Sequence, residues 1–417
     1  MEEIFGIFNP WWKSGNVKAE LSPQFKRELF FEVVKYLDKR QIIAIFGLRR
    51  TGKSTIVFQI IKHILDGGIK PEHILYFSFD EKTSDIKDIL SSYSRLHSID
   101  LEKSKLYVFF DEVQKLEDWQ NKLKIFYDMY PNIRFFISGS SHFGLIKKAS
   151  ESLGGRINLF KLEPLSFKEW LKLNNFEFEG EKIELYKNEL MGYFNWYRKT
   201  PFPEIAKLRE DILIRKYIDE FVISRVISYD IKKEFKDADI ALLETLKDIF
   251  FDEIGFILNI DSLARDLQRS KDILIKHINY LAQGLLIKIV RNYRGSMLGS
   301  SRKLRRIYPY HPCFCISAEE GRLIENLFIS VLDAEFYWRD KEKEVDIVKD
   351  KIPIEIKYKN IVRKEEDLKS VYFFMKKFNQ KNGIVITKDT EEKIKHDSNE
   401  VRLIPAWKWL LQQPLTP

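Results

Sequence analysis

Gly47-Leu48-Arg49-Arg50-Thr51-Gly52-Lys53-Ser54 fits the pattern G-x-x-x-x-G-K-[ST] in full. The residues on either side make the stretch decisive. Ile42-Ile43-Ala44-Ile45-Phe46 is a short, unbroken apolar run, as expected of a strand buried on both faces. From Ser54 to Leu65 the spacing predicts a helix, stopped by Gly67-Gly68. A glycine loop between a strand and a helix is the setting a phosphate-binding loop requires. Gly47 lets the chain leave the strand sharply, and Gly52 lets backbone N–H groups approach phosphate oxygens. The helix turns its positive end to the same place. Lys53 is expected to meet the β- and γ-phosphates of ATP, and the Ser54 hydroxyl to ligate Mg²⁺. The expected nucleotide-binding residues are Gly47, Leu48, Arg49, Arg50, Thr51, Gly52, Lys53, Ser54 and Thr55.

A second stretch belongs to the same site. Leu106-Tyr107-Val108-Phe109-Phe110-Asp111-Glu112 is an apolar strand that ends in two acids. Asp111 is expected to hold Mg²⁺, directly or through water. Glu112 is then placed to polarise the attacking water as general base. Arg134-Phe135-Phe136-Ile137-Ser138-Gly139-Ser140-Ser141 ends in hydroxyls at the same sheet edge, and one of Ser138, Ser140 or Ser141 is a candidate γ-phosphate sensor. Ile74 to Phe79 reads as a further strand. Strands alternating with helices imply a mostly parallel α/β sheet covered on both faces.

With 417 residues the chain exceeds one ordinary core and has room for two or three domains. Hydrophobic residues at 44% and charged residues at 32% fit a folded globular protein and exclude a disordered one. Lys and Arg number 70 against 62 Asp and Glu, a mild basic excess that permits nucleic-acid binding without demanding it. The only cysteines, Cys313 and Cys315, exclude a disulfide framework and a four-cysteine zinc site. His311-Pro312-Cys313-Phe314-Cys315 could offer three metal ligands, but a paired-metal signature has no second half nearby, and it is read as a buried strand with small apolar thiols. The N-terminal MEEIFGIFNPWWKSG has the features of no signal peptide, and no uncharged apolar run reaches a membrane span. The expectation is a cytoplasmic protein with no membrane partner.

Four segments are expected. Residues 1–165 hold the phosphate loop, and 166–235 form a helical lid rich in Lys, Glu and aromatics. Residues 236–317 read as three helices followed by a hairpin, with Asp261 and Ser270 as caps of the second and third helices. That order is expected of a winged helix-turn-helix. Lys271, Lys276, Arg291, Arg294, Arg302, Lys303, Arg305 and Arg306 would give it a basic face for DNA, the expected macromolecular partner. Residues 318–417 read as a helix, three strands, a helix and a strand. There Glu355-Ile356-Lys357 puts two polar side chains on one strand face. Antiparallel pairing with Glu344-Val345-Asp346-Ile347-Val348 would bring Asp346 beside Glu355. The two carboxylates, with Glu325 from the preceding helix as a third, are candidate ligands for Mg²⁺ or Mn²⁺, and Lys357 a candidate to orient water. The chemistry would be metal-assisted phosphodiester hydrolysis.

The loop, the FFDE and ISGSS strands, Ser152-Leu153-Gly154-Gly155-Arg156 and Leu162-Glu163-Pro164-Leu165-Ser166-Phe167-Lys168-Glu169 together resemble AAA+-type archaeal and bacterial ATPases over nearly the whole chain. That resemblance implies that Arg156 reaches a γ-phosphate, in cis or from a neighbouring subunit of a homo-oligomer. The C-terminal pattern resembles the PD-(D/E)xK nuclease superfamily, with Asp346, Glu355 and Lys357 as its core residues. The rival expectation is an ATP-driven switch whose nuclease-like domain is silent.

Overall fold

The computed structural model describes residues 2–82, 84–140, 152–295, 305–315, 318–396 and 399–412. Two compact units divide the chain, residues 1–164 and 165–417.

The first unit is built on five strands, β1 (Ile42–Phe46), β2 (Ile74–Ser78), β3 (Leu106–Asp111), β4 (Ile133–Gly139) and β5 (Ile157–Lys161), in the order β2-β3-β4-β1-β5 and parallel throughout. Successive side chains of a strand point to opposite faces, so a strand covered on both sides must be apolar at every position. Ile42, Ala44 and Phe46 pack on one face, with Leu90 and Tyr93 of a helix at Ile86–His97 and Leu123 of another at Trp119–Met129. Ile43 and Ile45 pack on the other, with Ile56, Ile60 and Ile64 of the helix Lys53–Asp66. Phe109 and Phe136 stack across β3 and β4 with centroids 4.3 Å apart. A short helix, Glu28–Val34, precedes β1.

The sheet order positions the site. β4 lies between the loop-bearing β1 and the acid-bearing β3, so the hydroxyls that end β4 sit beside both. β5 had no expectation attached to it; its side chains are only partly buried, which weakens its apolar signal.

The second unit opens with the helix Phe167–Leu173, closed by a capping box between Ser166 and Glu169, and the helix Lys187–Tyr197. Helical segments over 211–234 follow, and then three helices, Ile240–Asp252, Ile260–Asp266 and Lys271–Gln283. Asn259, not Asp261, caps the second of them, accepting from the N–H groups of Asp261 and Ser262; Ser270 caps the third. Strands β6 (Phe256–Leu258) and β7 (Ile287–Asn292) each pair antiparallel with β8 (Arg305–Pro309).

β7 also pairs, in parallel, with β9 (Phe336–Asp340), the first strand after a helix at Glu320–Val331. β9, β10 (Lys343–Lys349) and β11 (Ile352–Lys357) form an antiparallel meander, and β11 continues in parallel into β12 (Asn382–Thr387) and β14 (Asn399–Pro405), edged by β13 (Glu392–His396). One nine-stranded sheet therefore runs through the expected boundary at 317/318.

The His311–Cys315 segment departs from expectation, for Pro312–Phe314 is a 3₁₀ turn. Both thiols are pushed up by burial, Cys315 to about 12, and His311 is pushed down to about 3 for the same reason. Inert thiols and a neutral ring suit packing. Among the described residues, no helix is long and apolar enough to cross a membrane.

Candidate functional site

The loop leaves β1 where expected, and its two glycines have separate causes. A Cβ on Gly47 would lie 2.2 Å from the Leu162 carbonyl oxygen, because Leu162 N–H donates to the Phe46 carbonyl as β5 ends beside β1. Gly52 has φ +96°, a conformation side chains rarely adopt. Arg27, buried, donates to the Thr51 carbonyl at 2.8 Å and to the Glu163 and Pro164 carbonyls at 2.9 and 3.2 Å, tying the loop to the chain that leaves β5. Lys53 is buried within the loop, its Nζ donating to the Gly47 and Leu48 carbonyls at 3.1 and 2.9 Å.

Asp111 is 5% exposed, and a carboxylate so buried needs hydrogen-bond partners. Ser54 Oγ donates to its Oδ2 at 2.9 Å and Tyr76 OH does so at 2.9 Å. Ser138 Oγ donates to Oδ1, as does the Glu112 N–H at 3.0 Å. Burial and the adjoining Asp111 raise the Tyr76 phenol well above its ordinary value, so it stays a donor. Glu112 sits at φ +53°, where the chain turns off β3. Its Oε2 accepts from Gln114 Nε2 at 2.5 Å and from Ser140 Oγ at 3.3 Å. Of the three candidate serines, Ser138 is thus spent on Asp111 and Ser140 faces Glu112; Ser141 lies outside the described residues. The donor set fits Mg²⁺, since Ser54 and Asp111 already meet at one point with oxygen atoms, the ligands a hard cation takes.

Tyr76 and Gln114 were missed in the sequence. A tyrosine in an otherwise apolar, doubly covered strand is the one legible hint, because a buried phenol usually finds an acceptor.

Arg156 is not where a cis role needs it. It precedes β5 at the edge where β1 begins, and its carbonyl accepts from Ile42 N–H. The loop leaves the opposite edge, about 15 Å away across a strand of five residues. Arg156 instead pairs with Asp128 at 3.0 Å. Within this chain Arg156 thus lies away from the loop.

In the second unit, Asp346 and Glu355 do meet. The β10–β11 register pairs Ile347 with Ile354, which sets Asp346 opposite Glu355 one step on. Between Val345 and Val348 the register with β9 shifts, a bulge of the kind that re-aims a side chain. Asp346 Oδ2 accepts from the Ile356 N–H at 2.8 Å, and Lys357 Nζ lies 2.5 Å from Glu355 Oε1. Glu355 is 4% exposed, and its Oε2 is buried without a hydrogen-bond partner. All three residues line a cavity of about 420 Å³. Burial, then Glu355 and Glu325, hold the Asp346 carboxyl well above the carboxylate range. Burial raises Glu355 to about 7 against the opposing charge of Lys357. Lys357 is raised too; burial disfavours its charge, and Glu355 and Asp346 outweigh that. An orphaned oxygen among acids that resist ionisation fits a divalent cation, which would supply the missing charge.

Glu325 lines the same cavity but is engaged elsewhere: Tyr308 OH donates to it at 2.6 Å and Arg322 at 3.0 Å. Among the described residues no three His, Cys, Asp or Glu side chains stand close enough to hold a metal ion, so the expected three-acid set is not assembled.

The expected basic face is also altered. Lys271 pairs with Asp261, Lys276 with Asp237 and Arg291 with Glu335 at 2.8 Å. His277 is buried, accepting from the Asp239 N–H. Arg306 is buried and pairs with Glu344 at 2.6 Å. Arg305 is exposed, whereas Arg302 and Lys303 lie outside the described residues.

Residues 39–171 match a family described as an AAA domain. An uncharacterized protein of Methanocaldococcus jannaschii is 28% identical over 402 residues, covering 89% of this chain and 88% of that protein. A second uncharacterized protein of the same organism is 31% identical over 304 residues, 66% of this chain and 62% of its own length. Among solved structures, the ORC2 protein of Aeropyrum pernix in its ADP form aligns with 71% of this chain and 95% of that chain at 13% identity and a TM-score of 0.38. The replication initiator DnaA bound to AMPPCP and single-stranded DNA aligns with 65% of this chain and 92% of that chain at 16% identity and a TM-score of 0.28. The AAA-domain match spans all five strands of the parallel sheet and the loop that leaves β1, and the first unit thus carries the fold of a P-loop ATPase.

Proposed function

We propose that this chain hydrolyses ATP with Mg²⁺ in its first unit and uses the nucleotide cycle to control action on DNA by its second. The observation that carries the reading is the meeting of Ser54 and Asp111 beside Glu112, at the end of a complete phosphate loop. Lys53 would exchange the Gly47 and Leu48 carbonyls for phosphate oxygens. Ser54 and Asp111 would hold Mg²⁺, which supplies charge stabilisation on the phosphates when bound. Glu112, held by Gln114 and Ser140, would accept a proton from the attacking water. A neighbouring copy could deliver Arg156, which the cis geometry withholds.

For the second unit the reading is metal-dependent phosphodiester cleavage at Asp346, Glu355 and Lys357, in a fold of the PD-(D/E)xK kind joined to a winged helix. The orphaned Glu355 Oε2 in a half-open acid cavity supports it. Exposed ion pairs such as Lys276–Asp237 contribute little in water, so phosphate can replace the acid at little cost. The rival is a switch in which ATP governs partner binding and nothing is cut. It is favoured by the withdrawal of Glu325 and by the acids that answer the basic face.

Labelled linear, branched and single-stranded DNA, incubated with Mg²⁺ or Mn²⁺ with and without ATP, separates the two. The nuclease reading expects cleavage that Asp346→Ala abolishes. Intact DNA under every condition, from protein that still turns over ATP, establishes the switch.

A further inference from the structure

The acid cavity holds more carboxylates than a metal pair needs. Glu319, Glu325, Glu342, Glu344, Asp346 and Glu355 all line it; Glu319 and Glu342 are exposed at its rim, and the other four fall into two groups. Asp346 and Glu355 face each other across β10 and β11, and one Glu355 oxygen is buried and unpartnered. Glu325 and Glu344 are answered by cations. Arg306 Nη2 lies 2.6 Å from Glu344, and its Nη1 lies 3.8 Å from Glu325. Arg322 takes the other Glu325 oxygen at 3.0 Å.

Arg306 comes from β8, in the segment first read as a DNA-contacting wing, and is 5% exposed. Its guanidinium sits 4.6 Å from the centre of the Tyr337 ring. A guanidinium does not lose its proton in a protein, so this is a fixed interior charge. Arg322 is different, with half of its side chain exposed. A divalent cation reaching for Glu325 or Glu344 must displace or approach these charges, and at a few ångströms the repulsion is strong.

We propose that Arg306, aided by Arg322, sets the metal capacity of the cavity: one divalent ion on Asp346 and Glu355, with Glu325 and Glu344 withheld. This rests on the reading of that pair as a metal site. Arg306 acts as a positioning residue, through the two glutamates rather than by touching substrate. The carboxylate site then depends on β8 and is not self-contained in residues 318–417.

The test is Mn²⁺ binding to the full chain without nucleotide, with the Ser54–Asp111 cation site removed by Asp111→Asn in every protein compared, by calorimetry and by loss of the free-ion electron paramagnetic resonance signal. The chain with its cavity intact is expected to bind one ion that Asp346→Ala loses. Arg306→Gln is expected to take up a second ion, while Arg306→Lys, which keeps the charge, stays at one. Arg322→Ala, at a half-exposed position that leaves the fold intact, is expected to bind Mn²⁺ about tenfold more tightly. It decides the matter alone should Arg306→Gln fail to fold. Two ions in the chain with its cavity intact, or Arg322→Ala and Arg306→Gln unchanged in number and affinity, overturns the role of the arginines. Binding that Asp346→Ala does not alter overturns the metal site itself.

Discussion

Lys53 and Asp111 are buried groups whose partners can change, and the exposed Ser54 donates to one of them. Lys53 spends its ammonium on loop carbonyls, and Asp111 spends its carboxylate on three hydroxyls and an N–H. Lys53→Ala is expected to lower ATP affinity about 100-fold or more, the scale of losing charged hydrogen bonds, as read by titration with a fluorescent nucleotide. The Asp346–Glu355 pair makes a pH prediction. The folded Glu355 carboxyl, near 7, holds its proton more tightly than the ordinary value of 4.5. Its contribution to stability is fully present below that ordinary value and is lost as pH rises through about 7. The metal-free chain should melt at a lower temperature above neutrality, and Glu355→Gln should flatten the dependence in scanning calorimetry. An unchanged slope would remove Glu355 as its source. At this scale the loop and the acid pair of β3 were legible because their spacing is local. Tyr76 and Gln114 were not, since Tyr76 reaches Asp111 only through strand pairing and Gln114 reaches Glu112 only through the turn after β3.

Elements follow from burial. Strands β1 to β4 were legible because both faces are covered, which forces unbroken apolar runs. β5, with partly buried side chains throughout, carries no such run, and it sets Arg156 at the edge where β1 begins. Gly47 ties these elements together. Gly47→Ala would drive a methyl into the Leu162 carbonyl and separate β5 from β1 at the loop. It should cost about 1–3 kcal/mol by overpacking and weaken ATP binding, seen as a lower melting temperature that ATP no longer raises. Normal melting with full ATP protection would contradict the close approach.

At the largest scale the chain has two compact units, residues 1–164 and 165–417. Across the expected boundary at 317/318, β7 and β9 pair, a long-range contact that composition cannot report. Cutting there also strips Tyr308 from Glu325. A fragment of residues 165–417 should therefore unfold cooperatively in urea, whereas residues 318–417 alone should not; a cooperative 318–417 fragment would restore the sequence-based boundary. In the proposed cycle it is the nucleotide that joins the units functionally. The most direct measurement is steady-state ATP turnover with Mg²⁺ by wild type and Glu112→Gln, beside ATP binding by both. The account predicts that Glu112→Gln binds ATP as wild type does and turns over about 10²–10⁴-fold more slowly. Undiminished turnover in the variant, or no turnover by a wild type that binds Mg²⁺-ATP, would contradict it.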